Sequence, residues 1–250
     1  MAEASIRQAG SAAREVRVTD ILGRGYEILK RDFFHYFGLT LIANLPFLLI
    51  YRNVAAPEGP FGWFVVPFLF ALVPWSLAQS FVVYNVYQDL RGLPPHAGES
   101  LKLAFERLLP IFVLSIFEAF AIGLGFLIVI LPGLFMVALL LVSMPVCVVE
   151  KLGPITSMWR SADLTKGHRG QMVTLFVLMM VIEIVVQVLI GTVFGVFAGW
   201  LAAVAVWLWR STFAAFFAVS VVVAYHQLRV VKEGVEAEAI GVDLDAQLGV

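Results

Sequence analysis

The 250 residues are 61% hydrophobic and 14% charged, with a mean hydropathy of +0.92 and a formal net charge of −1. Soluble domains run at roughly 45–50% apolar and about 25% charged, so this chain holds more apolar surface than one water-facing core buries, and its expected solvent is a bilayer. The near-zero charge excludes electrostatic nucleic-acid binding, and the single cysteine, Cys147, excludes a disulfide framework or a cysteine-based metal site.

Residues 1–18 read as a flexible cytoplasmic tail, and no apolar run ahead of a small-residue cleavage site marks a cleaved signal peptide. From Asp20 to Arg31 an amphipathic helix is expected, with Ile21, Gly25 and Ile28 beside Leu22, Tyr26 and Leu29, and with Arg24, Glu27 and Lys30 off those rows. Membrane helices are expected at about 34–51, 63–86, 110–130, 133–149, 172–192 and 206–225, each close to the length that spans a ~30 Å hydrocarbon core. The third is led by an amphipathic segment, Glu99 to Leu109, with Leu101, Ala104, Phe105 and Leu108 at helical spacing. The fifth is led by Pro154 to Lys166, with Ile155, Met158, Trp159 and Ala162 at i, i+3, i+4 and i+7. Such segments either pack over the cytoplasmic ends of the bundle or read lipid headgroups and dock a partner. Pro46, Pro67, Pro74 and Pro145 mark discontinuities, and the apolar stretch 195–205 is expected as a loop, a flat segment or a re-entrant segment. Residues 233–250 form an acidic cytoplasmic tail.

Of the 17 Lys and Arg residues, 15 fall in the tails and in the connections after the second and fourth helices, leaving Arg52 and Arg210 for the opposite face. The positive-inside rule therefore places both termini in the cytoplasm. Trp63, Trp200, Trp207 and Trp209 fall at the expected outer boundary, with Arg210 as an anchor at the same level.

The cytoplasmic ends of the even helices repeat one another: Tyr87-Gln88-Asp89-Leu90-Arg91, Cys147-Val148-Val149-Glu150-Lys151 and Tyr225-His226-Gln227-Leu228-Arg229. The expected fold is thus an all-α integral membrane protein. Residues 19–232 form a six-helix bundle of three repeated helical hairpins, each begun on the cytoplasmic side by an amphipathic helix.

Pro132-Gly133, Glu150 with Gly153-Pro154, Trp159-Arg160-Ser161 followed by Leu164 and Gly167, and Tyr225-x-x-Leu228-Arg229-x-x-Lys232-Glu233-Gly234 carry a resemblance. Over roughly Thr19 to Glu236 the chain resembles a family of bacterial multi-pass membrane proteins related to the membrane domain of glycerophosphodiester phosphodiesterases. The resemblance implies a bacterial inner-membrane location and no assigned reaction, since the barrel that carries the phosphodiesterase chemistry has no counterpart here. Where the family's closing motif commonly has an acid two residues after the tyrosine, this chain has Gln227, whereas its first repeat keeps Asp89.

Glu118 is expected about 8 residues, or ~12 Å, into the third helix, and Glu183 about 11 residues, or ~17 Å, into the fifth. Asn44 has a similar depth in the first helix, and Gln187 follows Glu183 by one turn. One reading has these groups hydrogen-bonding with one another or with Gln79 and Asn85 to hold the helices in register; the other has them carry protons or bind a cationic solute. A second candidate surface is cytoplasmic: Arg91, Lys102, Arg107, Trp159, Arg160, Lys166 and Arg169 form a basic, aromatic face suited to lipid headgroups or a partner. Gly191, Gly195 and Gly199 share one face of the fifth helix and serve intrachain packing, a homo-oligomer or a re-entrant turn. His35, His96, His168 and His226 lack metal-ligand spacing, and there is no nucleotide loop or catalytic motif, so no metal or cofactor is expected. The leading expectation is a non-enzymatic inner-membrane module that engages lipid or a partner. A small secondary transporter or channel using Glu118 and Glu183 comes second, and an intramembrane enzyme third. Cysteine labelling from outside is expected to reach a probe at Asn53 and to fail at Gly98, Gly167 and Gly241; labelling at Gly98 contradicts the orientation.

Overall fold

The computed structural model describes residues 16–45, 78–90, 97–196 and 199–234. Most of both expected tails, the last part of the first membrane helix, most of the second and Arg91 lie outside the described residues. Among the described residues all regular structure is helical. Four segments are long and apolar enough to cross a membrane: Phe105–Ile128, Ile130–Val149, Arg169–Gly195 and Trp200–Glu233. These are the helices of a membrane protein, built where the sequence has its longest apolar runs.

Helix α1 (Val18–Arg31) buries Ile21, Gly25, Ile28 and Leu29, the expected rows, and leaves Tyr26 exposed. It packs on the last helix, α9 (Gly199–Glu233), where a Cβ on Gly25 would come 2.9 Å from Ser220 Oγ. Glycine is therefore what lets the two backbones approach. After Asp32, α2 (Phe33–Ala43) runs antiparallel to α9: Thr40 Oγ1 donates to the Ser211 carbonyl at 2.8 Å, and Trp207 Nε1 to the Asn44 carbonyl at 3.1 Å. Helix α3 (78–90) is buried along nearly its whole described length, its polar residues Gln79, Ser80, Asn85, Gln88 and Asp89 included.

The segment expected as a separate amphipathic helix before the third span is instead continuous with it in α4 (Ala97–Ile128), which runs through Pro110. Proline removes one backbone bond but does not stop a membrane helix whose neighbours satisfy the freed carbonyl. A single extended residue, Val129, separates α4 from α5 (Ile130–Leu140). The turn is this tight because Gly125 and Gly133 meet: a Cβ on Gly125 would lie 2.9 Å from Gly133 Cα. The expected helix over 133–149 is broken at Leu141-Val142 into α5 and α6 (Ser143–Val149). Pro145 sits in the first turn of α6, where its missing N–H costs nothing.

Helix α7 (Pro154–Leu164) forms where expected. It buries Ser157, Ser161 and Leu164, while Ile155 and Trp159 are 57% and 73% exposed. Helix α8 (Arg169–Gly195) and α9 form an antiparallel hairpin with only 196–198 between them. Residues 199–205, expected as part of a loop, flat or re-entrant segment, are therefore the first turns of α9. Consequently Gly191 and Gly195 end one helix while Gly199 begins the next, so the three do not share a face. A Cβ added at Gly191 or Gly195 would meet open space, so neither mediates a close intrachain approach.

Candidate functional site

Tyr87, Glu150 and Tyr225, one from each of the three similar strings, lie close together. The ring of Tyr87 lies edge-on to Tyr225 and His226, with centroids 6.5 Å and 6.0 Å apart. Glu150, which closes the second repeat, accepts hydrogen bonds from Arg160 Nε at 2.8 Å, Tyr225 Oη at 3.0 Å and Arg229 at 3.5 Å. Glu233 pairs with the same two arginines, at 2.7 Å from Arg229 Nε and in contact with Arg160. Burial pulls the Arg160 guanidinium down, but Glu150 and Glu233 outweigh it and hold the group above its ordinary range. Asp89, on α3, makes a separate pair with Arg31 of α1 at 2.7 Å. Asp89 is almost wholly buried, which pushes its carboxyl up against the opposing pull of Arg31.

This layer divides the expected basic face. Arg160 is committed to two carboxylates. Lys102 and Lys166 are exposed, and Arg107 is half-buried within electrostatic range of Glu106. The Arg169 guanidinium lies 5.1 Å from the ring centre of Phe135 on α5. His168, at the start of α8, is pushed down by burial, with Lys232 adding to the effect.

The polar residues of the spans do not gather. Glu118 on α4 is hydrogen-bonded with Ser143 at the start of α6, and Ser143 also bonds the Leu140 carbonyl across the break. Beside them a cavity of about 150 Å³ is walled by Gln79, Glu118, Val137, Met144, Phe176 and Phe217. Glu183, Asn44 and Gln187 do not line it. Asn44 instead terminates α2, its Nδ2 donating to the Thr40 carbonyl at 2.8 Å. Glu183 lies on α8 within electrostatic range of Arg210 and beside Trp209. Glu183 precedes the 196–198 connection by as many residues as Arg210 follows it, to within one, so an antiparallel hairpin sets them level. Arg210, expected as an outer-boundary anchor, therefore stands on α9 at about the level of the middle of α8, within electrostatic range of Glu183. Sequence reasoning found no base within the span of Glu183; the base comes from the neighbouring one.

One feature had no counterpart in the expected sites. A groove of about 420 Å³ runs between α4, α5 and α7, walled by Phe117, Phe120, Met136, Leu139, Trp159 and Ala162 among others. The stripe on α7 signalled it, but the direction of that stripe was not readable. Ser161 Oγ, on the opposite side of α7, fixes the helix by donating to the Leu139 carbonyl at 2.6 Å. Among the described residues no three His, Cys, Asp or Glu side chains gather as metal ligands.

No protein-family model, curated protein or solved structure matches the chain.

A double-mutant cycle on Glu183→Gln and Arg210→Gln is expected to give a coupling energy of about 1 kcal/mol or more in detergent unfolding. Additive losses contradict the pairing.

Proposed function

We propose that the chain is a non-enzymatic module of a bacterial inner membrane that holds lipid against its cytoplasmic half. Six crossings with both termini in the cytoplasm, arranged as three hairpins, account for the charge distribution and for the convergence of the repeat ends. The resemblance to the membrane domain of glycerophosphodiester phosphodiesterases fits the same reading, since that domain serves an enzyme acting on lipid-derived headgroups without itself carrying the barrel.

The observation that carries the proposal is the groove between α4, α5 and α7. Its walls are almost entirely apolar, it is open to the surroundings, and it falls within the size range of small-molecule sites. A surface of this kind is unfavourable in water and ordinary against acyl chains. Trp159, 73% exposed, adds a large ring to the groove wall that an acyl chain can lie against.

The transport reading has less support, because its two carboxylates are separated. Glu118 is engaged by Ser143 beside a small cavity, and Glu183 lies toward Arg210 on a different hairpin. A conduction path needs polar groups in succession along one cavity.

The purified chain, reconstituted into liposomes under a proton or cation gradient, is expected to leak no faster than empty liposomes. A flux abolished by Glu118→Gln or Glu183→Gln would replace this proposal with the transport reading.

A further inference from the structure

The groove ends in cations. Along α7 its wall follows the row Ile155, Trp159, Ala162. One further turn along the same row stands Lys166, exposed, just past the helix end at Thr165. On the facing helix the wall includes Met136, and the next residue, Phe135, carries the Arg169 guanidinium over its ring. The two sides meet at this end, because Ser161 is bonded to the Leu139 carbonyl, one turn from Met136. Arg169 thus reaches the helix that supplies Met136 and Leu139 to the groove, and Lys166 continues the row that supplies Trp159 and Ala162, both within electrostatic range of Lys232.

Neither has an acidic partner among the described residues, and Arg169 Nε is shielded without a hydrogen-bond acceptor. Arg160, by contrast, is saturated by Glu150 and Glu233. A third cation joins the pair: Lys232, at the end of α9, bonds the Asp163 carbonyl and feels the charges of both Lys166 and Arg169. Among the described residues whose charges act on Lys232, the cations Lys166, Arg160 and Arg169 outnumber the acid Asp163. Like charges gathered beside an apolar groove call for an anion with an apolar tail.

We propose that this groove is a binding site for one anionic phospholipid, with an acyl chain along Ala162, Trp159 and Ile155 and the phosphate held by Lys166 and Arg169. The inference rests on the lipid-engaging reading above and narrows it to a headgroup charge and a place. It assigns the headgroup to Lys166 and Arg169 and withdraws it from Arg160.

The test uses the full-length protein in mild detergent, titrated with phosphatidylglycerol or with phosphatidylcholine of the same acyl chains, and read by native mass spectrometry. Wild type is expected to retain phosphatidylglycerol in preference. The double variant Lys166→Gln/Arg169→Gln is expected to lose about thirtyfold in phosphatidylglycerol affinity, the scale for two cations near a headgroup, with phosphatidylcholine unchanged. Ala162→Trp, which fills the groove, should weaken both. Equal phosphatidylglycerol retention by wild type and the charge variant overturns the headgroup site, and undiminished binding to Ala162→Trp overturns the groove. Should a variant not fold, phosphatidylglycerol bearing a photoreactive acyl tail decides on wild type alone. Cross-links confined to α4, α5 and α7 support the site, and cross-links only elsewhere refute it. Equal retention of phosphatidylglycerol and phosphatidylcholine by wild type removes this inference alone, whereas a gradient-driven flux removes the broader reading.

Discussion

The carboxylate of Glu150 takes three donors from two helices, and the cytoplasmic half of the protein is arranged around that. Arg160 comes from α7, Tyr225 and Arg229 from α9, and Glu150 itself closes α6. A hydrogen bond to a charged partner contributes about 1.5–3 kcal/mol, and a buried carboxylate deprived of its partners costs more than it contributed. Glu150 is only 16% exposed, so its bonds are weakly screened compared with those of a surface pair. With α7 tied to α9 at this point, its opposite side is left to form a wall of the groove.

That opposite side shows how a bilayer changes the meaning of an amphipathic pattern. In water, Ile155, Met158, Trp159 and Ala162 would turn inward and the serines outward. Here Ser157 and Ser161 are fully buried, with hydroxyls bonded to the Gly153 and Leu139 carbonyls. Lipid tails are as apolar as leucine, so large apolar side chains gain little by leaving them, while small hydroxyl residues allow close packing and pair within the protein. The same logic leaves Val181, Ile184, Val188 and Leu189 of α8 exposed.

Apolar run length was enough to place the long helices, because ~20 residues of hydrocarbon-compatible sequence have few alternatives. The repeat ends were legible as short strings around Tyr87, Glu150 and Tyr225, since the motif itself carries the groups that meet. Element ends were less legible. Pro110 looked like a boundary and is interior to α4, whereas Leu141-Val142 looked like helix and is a break. Both depend on which neighbours satisfy backbone groups, and that is a tertiary fact. For the candidate site, composition marked the basic residues but could not tell Arg160, whose charge is spent on Glu150 and Glu233, from Lys166 and Arg169. Nor could it tell that Arg210 would stand level with Glu183, because that follows from where the α8–α9 turn falls.

The central claim is that Glu150 holds α7 on the bundle. Hydrogen exchange of Glu150→Ala against wild type in detergent measures it directly. The account predicts that amides of 154–164 exchange at least about tenfold faster in the variant, as loss of one charge-assisted bond implies, while the middle of α8 is unchanged. Unaltered protection across α7 would contradict it.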